Sequence, residues 1–188
     1  MYLSLILSFL PALLLGPAHY HGLSRDVEVW QNAQIAVDNA AILLGEKDEA
    51  SLQGLMRNES RLKGLHTAYH AALACSFWPS CAAKAEVLRR AILAMHALAT
   101  TEFGIRWELA SQVANRELAR LRVRVSANTR SLIPPISKVS CRCGLPAKWD
   151  IDKEKLKTYL RVDHPGVIDV QVSAVESHGK WRYALSMP

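Results

Sequence analysis

Residues 3–45 read LSLILSFLPALLLGPAHYHGLSRDVEVWQNAQIAVDNAAILLG, and this stretch decides how the chain is organised. From Met1 to Ser24 there is no Asp, Glu, Lys or Arg. A helix needs about 20 mainly apolar residues to cross a bilayer, and the segment from Tyr2 to about His21 is just long enough. The sequence therefore predicts a membrane helix over residues 1–22. Its anchoring side chains would be Leu3, Leu5, Ile6, Leu7, Phe9, Leu10, Leu13, Leu14 and Leu15.

The same leader also fits a cleaved signal peptide, with an apolar core over residues 3–15 and a small-residue site at residues 16–18. A retained anchor is favoured because no Lys or Arg precedes the apolar core and because Pro17 lies beside the candidate cleavage residue. A buried helix of a soluble domain is the third alternative, but such helices normally carry a polar face. Anchor and signal peptide both place the body outside the cytoplasm. We expect an inner-membrane anchor with the body in the periplasm or at the cell surface.

Composition limits the class of partner. The chain has 188 residues, 50% of them hydrophobic, which is enough for one core or two small ones beside the leader. Its net charge of +6 favours anionic surfaces such as phospholipid headgroups or acidic envelope polymers. The basic residues are dispersed, and no aromatic residue interrupts the densest stretch over residues 116–130. We therefore expect membrane lipid as a partner and no nucleic acid.

The four cysteines form two local groups, Cys75 with Cys81 and Cys141 with Cys143. An even number fits two disulfides in an oxidising compartment, and the spacings are poor for structural zinc. A Cys75–Cys81 bond would close a small loop around Phe77-Trp78-Pro79. A direct Cys141–Cys143 bond is awkward in an extended strand, where the two Cα atoms would lie ~6.5 Å apart. Pairing between the groups therefore stays open.

Apolar residues at three- and four-residue spacing predict a helix over residues 23–45 that ends at Gly45. Its predicted packing face is rich in alanine and comprises Trp30, Ala33, Val37, Ala40, Ala41 and Leu44. Two further helical runs follow, over residues 48–74 and from Cys81 to about Leu121, with a bend expected at Gly104.

Beyond Leu121 the hydrophobic period changes to two, which is typical of strands. The pattern predicts strands near residues 121–125, 136–143, 167–175 and 181–187 and a short helix over residues 152–160. A hairpin turn at residues 177–180 would join the last two strands. The expected fold class is α+β and mainly helical: a membrane helix leads into long helices, and a small antiparallel sheet lies at the C-terminus. The predicted organisation is an anchor over residues 1–22, a helical body over 23–127 and a small α+β region over 128–188.

Candidate chemistry is sparse. His66 and His70 stand four residues apart on a predicted helix, a spacing that allows two ligands to share one metal. They are weak candidates because residue 67 is Thr rather than the Glu of a metalloprotease motif, and because the sequence indicates no third ligand. No nucleophile elbow, P-loop or dinucleotide-binding fingerprint is present. We expect neither an enzyme nor a cofactor.

The leader and the helix after it resemble the N-terminal region of the TadE/TadG-like proteins of Flp (Tad) pilus assembly. The resemblance covers about the first quarter of the chain, and the matching residues are Gln31, Asn32, Ala33, Ala36, Asp38, Ala40, Ala41 and Gly45. Pilin-like members of that group usually carry a basic leader before the apolar helix, which this sequence does not show. The resemblance implies either a lost upstream leader or an unprocessed, anchored relative.

This resemblance implies a membrane-anchored, pilin-like structural or assembly component of a Flp/Tad-type pilus or a related secretion apparatus. Its partners would be other pilin-like or pilus-assembly subunits, or further copies of itself, because small residues let helices approach closely. The alternative is a secreted or periplasmic binding module, released by cleavage after Ala18, whose basic surface contacts an acidic envelope partner.

Overall fold

The computed structural model describes the backbone of residues 2–120, 125–128, 130–162, 168–178 and 180–186. Side chains are described for residues 24–119, 130–161, 168–178 and 180–186. Two long helices, α1 (Tyr2–Ala74) and α2 (Pro79–Arg120), precede six short strands. The prediction of a mainly helical α+β chain with small antiparallel sheets near the C-terminus is thus confirmed.

Helix α1 is continuous over 73 residues and therefore ~110 Å long. The predicted end at Gly45 is wrong, since the helix passes through this position without a break. Glycine in a helix interior costs roughly 1 kcal/mol relative to alanine, so its presence needs another reason. A Cβ atom built on Gly45 would lie 2.6 Å from Cγ of Tyr183. Gly45 thus allows the C-terminal strand to pack directly on the backbone of α1.

The two helices form an antiparallel hairpin closed by a disulfide. In the turn between them, the Cα atoms of Cys75 and Cys81 lie 5.7 Å apart, and the two cysteines form a disulfide. This is one of the two pairings that the sequence left open. The amide of Trp78 donates to the carbonyl of Cys75 at 2.9 Å, which tightens the turn before α2 begins. Helix α2 then runs uninterrupted through Gly104.

A four-stranded antiparallel sheet has the order β1-β4-β5-β6, formed by Val125–Asn128, Thr158–Val162, Ile168–Ser177 and Lys180–Ser186. The predicted hairpin is confirmed, because Ser177 pairs with Lys180 across the β5–β6 turn. A separate two-stranded sheet joins β2 (Ile136–Ser140) to β3 (Pro146–Ile151), and β3 was not predicted as a strand.

The short helix predicted over residues 152–160 is wrong. Asp152 accepts hydrogen bonds from the amides of Glu154 and Lys155, as a helix cap would, but the chain turns only once and then enters β4. Leu156, Thr158 and Leu160 are buried at every second position, which is the period of a strand.

Two buried clusters hold the helices against the sheets. The first lies between the middle of α1, the end of α2 and strands β4 and β5; it consists of Ala33, Ala36, Val37, Ala40, Ala41, Leu44, Ala110, Ala114, Leu118, Leu160, Ile168, Val170 and Val172. The second is richer in aromatic residues and joins the later part of α1 to α2 and the β2–β3 sheet, with Phe103, Trp107, Trp149 and Trp181 as its largest members. The second cluster positions the β2–β3 sheet beside α1.

Candidate functional site

Three metal-binding side chains meet where α1 passes the turn between β2 and β3. His66 and His70 come from α1, and Cys143 comes from the turn. One ligand atom from each residue lies within 4.8 Å of the other two. The structure therefore brings together the two weak metal candidates of the sequence and places a third candidate side chain, which the spacing did not indicate, beside them.

The hydrogen bonding of His66 defines which ring nitrogen keeps a lone pair for a ligand. Its Nε2 lies 2.8 Å from the carbonyl oxygen of Pro146, at the start of β3. A carbonyl oxygen only accepts, so Nε2 carries the proton and Nδ1 keeps its lone pair. In metal sites the second ring nitrogen of a ligating histidine is usually held in this way. His70 lies one turn further on, with the two ring centroids 6.3 Å apart.

The turn that carries the cysteines is tightly hydrogen-bonded. The amide of Cys141 donates to the carbonyl of Leu145 at 2.8 Å, and the amide of Gly144 donates back to the carbonyl of Cys141 at 3.0 Å. Gly144 has a φ of 78°, a left-handed conformation that favours glycine. This turn, rather than an extended strand, surrounds Cys143 and brings it close to Cys141.

The resulting Cys141–Cys143 disulfide corrects an expectation. The separation of ~6.5 Å expected for an extended strand made the bond awkward, but in the turn the two Cα atoms lie 5.2 Å apart. No cysteine is free, and pairing between the two groups does not occur. In this form the sulfur of Cys143 is bonded to Cys141 and is not a thiolate.

An open cavity borders His66 and His70 and reaches Cys141, the disulfide partner of Cys143. It is lined by Lys63, His66, Thr67, His70, Val139, Cys141, Ala147 and Lys148. Lys63 pairs with Glu59 at 3.0 Å, one turn earlier on α1. Cys143 is exposed, so solvent and small reactants reach the disulfide.

The predicted packing face of α1 is occupied within the chain. Five of its six residues are at most 2% exposed and belong to the first core cluster: Ala33, Val37, Ala40, Ala41 and Leu44. Trp30, the sixth, is 45% exposed. Every side chain from Ser24 to Asn32 is exposed, including those of Val27 and Val29. The apolar face thus continues beyond the part that α2 and the sheet cover.

The residues predicted as the anchor, Leu3 to Leu15, lie outside the side chains that the structure describes. In the part that it does describe, no helix combines the length and the apolar character that a membrane crossing requires.

Two features of the molecule were not visible in the sequence. Cys143 is separated from His70 by more than a whole helix, and only the packing of the β2–β3 sheet on α1 brings them together. Likewise, nothing local predicted that Arg130 would form a buried ion pair with Asp48. The two available signals for the first feature were the spacing of His66 and His70 and the C-x-C spacing at Cys141 and Cys143, which lie far apart in the sequence. Comparison of the chain with protein-family models, with curated protein sequences and with solved structures gives no match.

Proposed function

We propose that this protein is a membrane-anchored, pilin-like structural or assembly component of the cell envelope, of the Flp/Tad pilus type or a related secretion apparatus. One observation carries the proposal: a single helix extends from Tyr2 to Ala74, and its later half packs on the sheet while residues 24–32 stay uncovered. This arrangement suits an assembly subunit. The later half of the helix packs inside the subunit, and the earlier half contacts neighbouring subunits.

The uncovered stretch, residues 24–32, carries exposed apolar side chains that a partner could bury. Val29 and Trp30 continue the same helical face that Ala33, Ala36 and Val37 bury further along, because these positions are separated by three, four or seven residues. Large apolar side chains left exposed on one stretch are typical of interaction surfaces. The body covers the face from Ala33 onwards, so we infer that another subunit covers it before that point.

The charge and the disulfides are consistent with an envelope location. Both disulfides are local and belong to the part of the chain that would lie outside the cytoplasm, where such bonds persist. The net charge of +6 suits a body held near anionic headgroups.

Cysteine cross-linking in membranes tests the contact, because the wild-type chain has no free thiol among its described residues. Val29→Cys places a thiol on the continued apolar face, and we expect it to give disulfide-linked dimers or cross-links to other subunits. Glu28→Cys is the matched control, since it is exposed at the same height but points about 100° away around the helix. Equal cross-linking by both variants, or none by either, would contradict a specific helix contact.

The alternative is a released binding module for an acidic envelope partner. A groove of about 210 Å³ between α1 and α2 supports it, because Arg57 and Arg61 line this groove beside an ion pair of Arg106 with Glu102. Intact-mass analysis separates the two proposals. Protein from membranes that retains residues 1–18 supports the anchor, whereas a soluble species beginning at His19 supports the binding module.

A further inference from the structure

We propose that His66, His70 and Cys143 form a redox-gated site for a thiophilic transition-metal ion of the zinc class, which binds only after the Cys141–Cys143 disulfide is reduced. The site is independent of the assembly role, because it lies on the body of the protein, far along α1 from the uncovered stretch.

The geometry is close to what a metal requires. Donor atoms on one tetrahedral zinc ion lie ~3.4 Å apart, given Zn–N distances of ~2.0 Å and Zn–S distances of ~2.3 Å. The three donors here already lie within 4.8 Å of one another. A movement of at most ~1.4 Å therefore completes the site. Exposed His70 makes it by a change of rotamer, and exposed Cys143 does so once the disulfide is open.

The surroundings favour these donors. Pro146 holds the Nε2–H of His66, which orients the ring and leaves Nδ1 for the metal. With two imidazoles and one thiolate from the protein, the fourth position belongs to water, and this donor set suits zinc better than a hard ion such as Mg²⁺.

The disulfide acts as the gate because a disulfide sulfur is a poor ligand. Opening it requires a dithiol reductant. One thiolate of the reductant attacks a sulfur of the Cys141–Cys143 bond and forms a mixed disulfide, and the second thiol then displaces the protein sulfur. The reductant leaves as a disulfide after giving up two electrons and two protons, and both cysteines become thiols. Zinc then binds the sulfur of Cys143 and releases its proton to solvent.

Four full-length proteins test the site. In the Cys75→Ser/Cys81→Ser background only the second disulfide responds to reductant. To this background we add Cys143→Ser, Cys141→Ser or His70→Asn. Zinc affinity is measured against a chromophoric chelator with and without a phosphine reductant, which does not itself compete strongly for zinc. Cobalt binding is followed by its thiolate charge-transfer absorption.

The two cysteine variants should behave in opposite ways. The parent should bind zinc about 100-fold more tightly after reduction. Cys141→Ser leaves Cys143 as a permanent thiol, so its monomer should bind zinc without reductant. Cys143→Ser should stay weak with or without reductant and should show no thiolate absorption with cobalt. His70→Asn should lose at least about 10-fold in affinity.

Three outcomes would overturn the proposal: equal zinc affinity of the oxidised and reduced parent, full affinity in Cys143→Ser, or full affinity in His70→Asn. Circular dichroism checks that each variant is folded. If the background fails to fold, an alkylation experiment on the reduced wild-type chain replaces the affinity measurement. Added zinc should then slow the alkylation of Cys143. Alkylation at the same rate with and without zinc would then contradict the site.

Discussion

Arg130 lies buried between the helices, where its guanidinium group donates two hydrogen bonds of 2.7 Å to Asp48 on α1. The same group lies 3.4 Å from the ring centroid of Trp107 on α2. The indole N–H of Trp107 in turn donates to the carbonyl of Ser131 at 2.9 Å. These contacts attach the segment before β2 to both helices, so Arg130 links three parts of the chain.

Removing the acidic partner should be costly. Asp48→Asn leaves the Arg130 charge buried without its carboxylate, and we expect a loss of about 3–5 kcal/mol in the free energy of unfolding, measured by urea denaturation. The double variant Asp48→Leu/Arg130→Met removes both charges and should lose clearly less than the single variant. A double variant as unstable as Asp48→Asn would show that packing, and not the loss of the carboxylate beside a buried charge, determines the cost.

His96 is the second buried group with a physical consequence. Its ring stacks on Trp149 with a centroid distance of 4.7 Å, and its Nε2 has no hydrogen-bond partner among the residues that the structure describes. Burial lowers the pKa of His96 below its ordinary value of 6.5, and the charge of Lys138 lowers it further. The folded protein therefore resists protonation of this ring.

This pKa shift makes stability depend on pH. Above the ordinary pKa of 6.5 the ring is neutral in both states, so its contribution is fully present. As the pH falls below that value, the unfolded chain binds the proton first, and stability is lost until the lower folded pKa is passed. The free energy of unfolding should thus fall from about pH 7.5 to about pH 5.5 more steeply in the wild type than in His96→Phe. Parallel pH curves for the two proteins would refute this role of His96.

At the scale of elements, the glycines of α1 show how packing overrides local preference. Gly45 is required because the ring of Tyr183 lies on the helix backbone, whereas a Cβ atom on Gly64 would meet no atom within 4 Å. The two residues occupy the same helix, so the difference between them is tertiary.

Alanine substitution should therefore have opposite effects at these two positions. Gly45→Ala should destabilise by about 1–3 kcal/mol, because Tyr183 and its strand must shift. Gly64→Ala should stabilise by about 0.5–1 kcal/mol, since it gains only helix propensity. Thermal and urea unfolding of both variants measures the two effects. Stabilisation by both substitutions would mean that Tyr183 on β6 does not pack tightly against Gly45 on α1.

Elements with an unbroken hydrophobic period could be predicted from the sequence. Elements that depend on contacts with distant residues could not. The three helical runs were located from their apolar spacing. Gly45 was misread as a helix end, because the contact that explains a glycine there is with Tyr183, more than a hundred residues away. Asp152 has the chemistry of a helix cap, yet Leu160 is buried in the first core cluster on a strand, and that burial decides the outcome.

At the scale of the whole molecule, the body should not need the start of α1. Side chains from Ser24 to Asn32 are exposed, while burial begins at Ala33. A chain beginning at Gln31 should match one beginning at Ser24 within about 0.5 kcal/mol in the free energy of unfolding.

A chain beginning at Ala41 is the contrasting case. It lacks Ala33, Ala36, Val37 and Ala40, which are all at most 2% exposed, and we expect it to lose at least about 3 kcal/mol. Urea denaturation of the three chains measures both steps. A large loss on the first truncation would place residues 24–30 within the fold rather than at a contact for another subunit.

The sequence by itself determined the features that arise from neighbouring residues: the helical runs that make up α1 and α2, the break at Phe77-Trp78-Pro79 between the two helices, and the β5–β6 hairpin. Helical and strand periods and turn chemistry act over a few residues, so they can be recognised locally. Only the tertiary structure decided that the alanine-lined face is filled by the same chain, that Asp48 meets Arg130 and that Cys143 lies beside His66 and His70. These contacts join residues that are distant along the chain, and the packing of the sheets against the helices selects them.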